Sequence, residues 1–89
     1  MATPREVAEW MFAELNRKQR LYPEAVVLDI RSEFGEEFVY TNENGNLAID
    51  RQVLKGFRAI TGDDVVWDRT EFMWRKRESH DEPGKRIVD

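Results

Sequence analysis

The sequence predicts an α+β domain. Three amphipathic helical segments, each with its own start and stop signals, precede a short aromatic two-stranded ribbon. Between the second and third segments, Asn44-Gly45 supplies the strongest hairpin signal in the chain, so a short central strand and turn complete the outline.

The first helix is predicted from Pro4 to about Lys18. Thr3 is the N-cap, Pro4 takes the first helical position, and Glu6 completes a capping box. Val7, Ala8, Met11, Phe12 and Leu15 follow at helical spacing, and Arg17, Lys18 and Arg20 sit where the helix dipole favours cations. Pro23 opens the second helix, Val26, Val27, Ile30 and Phe34 form its apolar face, and Gly35 stops it. The run Val-Val-Leu-Asp-Ile also reads as a strand, and the flanking Pro and Gly at helical distance decide for a helix.

Glu37-Phe38-Val39-Tyr40 is a short strand and residues 41–46 are turn chemistry. Leu47-Ala48-Ile49 either returns as a second strand or leads straight into the third helix. Asp50 caps that helix, Val53, Leu54, Phe57 and Ile60 form its stripe, and Gly62 ends it. Gly56 inside it costs about 1 kcal/mol relative to Ala, and marks a close helix contact. Val65-Val66-Trp67 and Phe72-Met73-Trp74 then form a hairpin around residues 68–71. That loop pairs Trp67 with Phe72 and Val65 with Trp74 on one face, leaving Val66, Met73, Arg75 and Arg77 on the other. Residues 1–77 are read as a single domain. Residues 78–89 are a polar tail, docked in part through Ile87 and Val88.

Composition narrows the function more by exclusion than by selection. A chain of 89 residues fits one domain, and its ten aromatics (three Trp, two Tyr, five Phe) are large units of burial for so small a core. The absence of cysteine excludes disulfides, thiol catalysis and a Cys-based zinc site, and favours a cytoplasmic location. Glu6, Glu9 and Glu14 interrupt any signal-peptide core, and no apolar run is long enough for a membrane span. Residues 41–46 fail as a calcium loop, because Tyr40 would stand at the first ligand position. His80 is the only histidine and lies among tail carboxylates. Ser32 and Ser79 lack a nucleophile's partners, and there is no phosphate-binding glycine loop. The expectation is a non-enzymatic binding domain with no cofactor and no metal.

Three helices followed by a ribbon outline a winged helix, in which the third helix enters the major groove and the wing touches the backbone. Arg51, Lys55 and Arg58 lie at i, i+4 and i+7 opposite the core stripe, with Gln52 near the helix start. Arg and Gln are the side chains that pair bidentately with guanine and adenine. Arg69 at the wing tip and Arg75, Lys76 and Arg77 beyond it would hold phosphates. Double-stranded DNA is therefore the first expected partner.

Several features weigh against that reading. The net charge is −4, any amphipathic helix has a polar outer face, and Glu71, Glu78, Asp81 and Glu82 can neutralise the wing. The long connection between the second and third helices also departs from a helix-turn-helix. The alternative is a protein-interaction or dimerisation module using Trp10 and the acidic residues 36–40. Trp67, Phe72 and Trp74 would make a stacking platform for bases if exposed, but their shared face favours core packing.

The chain also resembles a family of small bacterial proteins known only as a domain of unknown function. The residues that carry the likeness are Ala8-Glu9-Trp10-Met11, Phe34-Gly35-Glu36-Glu37-Phe38-Val39-Tyr40, and Asn42-Glu43-Asn44-Gly45-Asn46-Leu47-Ala48-Ile49. Val65-Val66-Trp67, Trp74-Arg75-Lys76-Arg77-Glu78 and Asp81-Glu82-Pro83-Gly84 complete them. The resemblance implies a bacterial, cytoplasmic protein of winged-helix-like fold, and it carries no activity, substrate or catalytic residue.

Overall fold

The computed structural model describes residues 2–78 and 87–88. It is an α+β arrangement of three helices and two small sheets. Helix α1 (Pro4–Lys18) starts as its caps require: the Thr3 hydroxyl accepts the Glu6 N–H at 3.2 Å. Gln19, left-handed at φ 69°, ends it. Strand β1 (Arg20–Leu21) and helix α2 (Pro23–Phe34) follow. A 3-10 turn (Glu36–Phe38) leads into the hairpin β2 (Val39–Thr41) and β3 (Leu47–Ile49). Helix α3 (Arg51–Thr61), β4 (Val65–Asp68), β5 (Met73–Lys76) and β6 (Ile87–Val88) complete the order.

Leu47–Ile49 is thus a returning strand. Asn42 closes the turn before it, its side-chain oxygen accepting the N–H groups of Asn44 and Asn46 at 3.0 Å each. Gly45 takes the left-handed position at φ 79°. The Asp50 N–H donates to the Phe38 carbonyl at 2.8 Å, so the hairpin delivers the chain directly to the start of α3. There the Asp50 carboxylate accepts the Gln52 N–H at 3.0 Å.

Helix α3 packs along α1. Val53 and Phe57 of α3 are buried against the same core as Val7, Ala8, Met11 and Leu15 of α1. Gly56 makes the approach close: a Cβ there would stand 3.3 Å from the Ala8 Cβ. The second layer is a four-stranded sheet in the order β1-β5-β4-β6. Strands β1, β5 and β4 are mutually antiparallel, and β6 runs parallel to β4 with Ile87 opposite Trp67. The end of the segment read as a tail is therefore docked on the sheet, while residues 79–86 lie outside the described part.

The ribbon register differs from expectation by two residues. Val65 pairs with Lys76 and Trp67 with Trp74, so Phe72 pairs with neither. The cause is the Asp68 carboxylate, whose Oδ1 accepts the N–H groups of Thr70 at 2.9 Å and Glu71 at 3.1 Å. This Asx-type turn holds the loop, Phe72 adopts φ 53°, and the return strand begins only at Met73. A two-residue slip keeps each strand residue on its expected face, because the strand period is two. Val65, Trp67 and Trp74 still share one face, and Val66, Met73 and Arg75 the other.

Two substitutions test the α1–α3 contact. Gly56→Ala should leave stability within about 1 kcal/mol of wild type, as the propensity gain offsets the tighter contact. Gly56→Leu should lower it by about 2 kcal/mol or more, because the extra carbons have no space to enter. Urea unfolding followed by Trp fluorescence measures both.

Candidate nucleic-acid interface and aromatic groove

The predicted basic residues divide into two groups. Arg51, Gln52, Lys55 and Arg58 are all exposed on α3, opposite the buried Val53 and Phe57. Helix α3 contains no acidic residue, in a chain that has 18 of them. Arg69 is exposed in the β4–β5 loop, beside the exposed Glu71.

Arg75, Lys76 and Arg77 make contacts that tie the ribbon to the rest of the fold. Arg75 donates from Nε to the Asp68 carboxylate at 3.3 Å, with only 13% and 12% of the two side chains exposed. Its guanidinium also donates to the Lys76 carbonyl at 3.3 Å and reaches Glu78 at 4.0 Å. The Lys76 ammonium stands 5.6 Å from the centre of the Phe12 ring on α1, a cation–π contact. The Arg77 side chain donates to the Asp63 carbonyl, and its backbone N–H to Asp64. These contacts brace the ribbon against α1 and the end of α3.

Asp68 is the electrostatic centre of the wing. The Glu71 backbone N–H is the largest influence on its carboxyl, with Arg75 and the Thr70 N–H adding to it, and its pKa is held below the ordinary aspartate value. Two hydrogen-bonding jobs meet on one carboxylate: it closes the turn and it neutralises a mostly buried guanidinium.

The interaction surface expected around Trp10 takes a different form. Trp10 is partly buried and meets Phe34 edge-on at 5.6 Å, and Phe34 meets Phe38 at 6.4 Å. That aromatic ladder seals α1 to α2 and to the 3-10 turn. Glu36 and Glu37 are exposed on the turn, and Tyr40 faces the opposite feature.

That feature is an open groove of about 990 Å³ between the start of α2, the β2–β3 hairpin, the C-terminal half of α3 and the sheet. Tyr22, Tyr40, Phe72 and Ile87 line it. They are four of the five exposed large hydrophobics among the described residues, and only Leu28 lies elsewhere. Trp67 and Trp74 form its sheet wall, 5.2 Å apart and edge-on, and Trp74 meets Phe57 of α3 at the same 5.2 Å. Trp67 and Trp74 are thus half-buried, while Phe72, expected to pack with them, is 69% exposed. Periodicity could not reveal the groove, because Tyr22, Tyr40 and Phe72 fall in turns or on short strands, and only the tertiary fold gathers them.

The geometry offers a positively charged helix face and an aromatic groove beside it. Among the described residues no helix is long and apolar enough to cross a membrane, and no group of three or more His, Asp or Glu is placed to hold a metal. Residues 3–76 match the model of a family of unknown function, DUF6953, and the chain belongs to that family. No curated protein and no solved structure matches it.

The lowered pKa of Asp68 sets a pH dependence. Its contribution to stability is present above the ordinary aspartate value and is lost as pH falls through the lowered value in the folded state. Asp68→Asn should therefore be less stable than wild type at neutral pH, with the gap narrowing in acid below both values. Thermal unfolding across an acid pH series reads this directly, and a gap that stays constant down to low pH would contradict it.

Proposed function

We propose that the domain binds double-stranded DNA through the exposed face of α3. The observation that carries this reading is the acid-free outer surface of that helix, where Arg51, Gln52, Lys55 and Arg58 stand together. Arg51 to Arg58 spans about 10 Å of helix rise, and a helix roughly 10–12 Å across fits a major groove roughly 12 Å wide. Gln52 and Arg51, at the start of the helix, are placed for base edges, and Lys55 and Arg58 for phosphates.

The connectivity supports the same reading. Setting aside the β2–β3 hairpin, the order is helix, strand, two helices and a ribbon, with β1 beside β5 and β5 beside β4. That order resembles a winged helix carrying a hairpin inserted before α3 and an added strand, β6, beside β4. In the wing the exposed Arg69 would reach a phosphate, while Arg75, Lys76 and Arg77 brace the ribbon. The net charge of −4 does not oppose the reading strongly, because screening limits distant carboxylates to a reach of about 8–10 Å. A DNA-binding role is compatible with the bacterial, cytoplasmic setting that the family resemblance implies.

Fluorescence anisotropy with a labelled duplex tests the proposal. Wild type should bind at low salt, with affinity falling steeply as salt rises. Lys55→Ala with Arg58→Ala should weaken binding and lower the salt slope by about two, one for each lost phosphate contact. No binding at low salt, or an unchanged slope in the variant, would overturn it.

A further inference from the structure

We propose that the aromatic groove is a second binding site, which takes an extended proline-rich segment of a protein partner flanked by basic residues. The groove lies beside α3 and shares only Arg58 with the proposed DNA-binding face, so Arg51, Gln52 and Lys55 stay clear for another ligand. Exposed apolar surface gathered in one concavity is uncommon on a small domain and marks an interaction site. Here Tyr22, Tyr40, Phe72 and Ile87 are between 39% and 69% exposed and share one groove with Trp67 and Trp74.

Phe72 adds a separate observation. It is the most exposed large hydrophobic and it adopts φ 53°, a conformation that disfavours a bulky side chain. Neither burial nor backbone preference explains a phenylalanine there, whereas a ligand laid across the groove does.

The chemistry of the lining selects the occupant. Proline-rich segments in the polyproline II conformation dock in grooves lined by aromatic rings, as this one is. Such a helix has no internal hydrogen bonds, so its carbonyls are open to the tyrosine hydroxyls and indole N–H groups that this lining supplies. It is also extended before binding, which lowers the entropy cost of ordering it.

Charge adds a second constraint. The lining contains two carboxylates, Glu24 and Glu71, against one guanidinium, Arg58, so it carries one excess negative charge. This local balance favours basic flanks on the ligand and disfavours a phosphate backbone in the groove itself. Residues 1–89 do not themselves supply the occupant. This chain has three prolines, Pro4, Pro23 and Pro83, too far apart in sequence to form one proline-rich segment.

The test is a titration of the full chain with a short synthetic peptide carrying Pro-x-x-Pro repeats between terminal arginines. Emission from Trp67 and Trp74 provides the readout. A saturable change is expected, about tenfold weaker or more in Phe72→Asn, whose new side chain suits the left-handed backbone and preserves the fold. Leu28→Ser, on an exposed residue outside the groove, should bind as wild type. Glu24→Gln with Glu71→Gln should weaken binding and reduce its salt dependence.

No saturable change with the peptide would overturn the proposal. Equal binding of the same peptide with alanine in place of proline would do so too, as would undiminished binding by Phe72→Asn. Perturbation of the groove tryptophans by single-stranded DNA in place of the peptide would assign the groove to bases instead.

Discussion

The contact between Gly56 and Ala8 is the constraint on which the rest of the structure depends. A Cβ placed at Gly56 would stand only 3.3 Å from that of Ala8, so the glycine lets α3 lie close against α1. That approach buries Val53 and Phe57 against Val7, Met11 and Leu15, and the same rotation turns Arg51, Gln52, Lys55 and Arg58 to solvent. The charged face of α3 is therefore a consequence of core packing. A helix held further off would bury its apolar stripe less well and leave the orientation of its outer face less fixed.

From α3 the constraint passes to the sheet through aromatic rings. Phe57 meets Trp74, and Trp74 meets Trp67, each at 5.2 Å and edge-on. The ribbon is held from its other side by Arg75 on Asp68 and by Lys76 over Phe12. Helix face, wing and groove are consequently joined by one chain of ring and ion contacts. This explains why cations that look like phosphate ligands in the sequence serve as braces in the fold. An arginine with 13% of its side chain exposed and a carboxylate at 3.3 Å gains more from staying paired than from leaving.

Features decided by neighbours in sequence were legible in it. The Thr3 and Asp50 caps, the stops at Gly35 and Gly62, the Asn44-Gly45 turn and the three apolar stripes each depend on a few adjacent residues, and they lie as expected. Features decided across space were not. Strand β1 has two residues and exists only through its pairing with β5. The ribbon register turned on whether Asp68 would cap the turn, which displaced Phe72 from the strand. Trp10, expected on an interaction surface, is partly buried edge-on against Phe34, a residue distant in sequence. The α3 half of the candidate interface was visible as a charge pattern at helical spacing. The groove was invisible, because its walls come from segments that share no periodicity.

The most direct measurement of the central claim is mapping of backbone amide shifts as an unlabelled DNA duplex is added to isotope-labelled protein at low salt. The account predicts the largest shifts along residues 51–59, with a second, smaller set around Arg69 and little change at Tyr22 or Tyr40. Shifts that cluster on the groove, on residues 36–40 or nowhere would contradict the assignment of α3 as the nucleic-acid face.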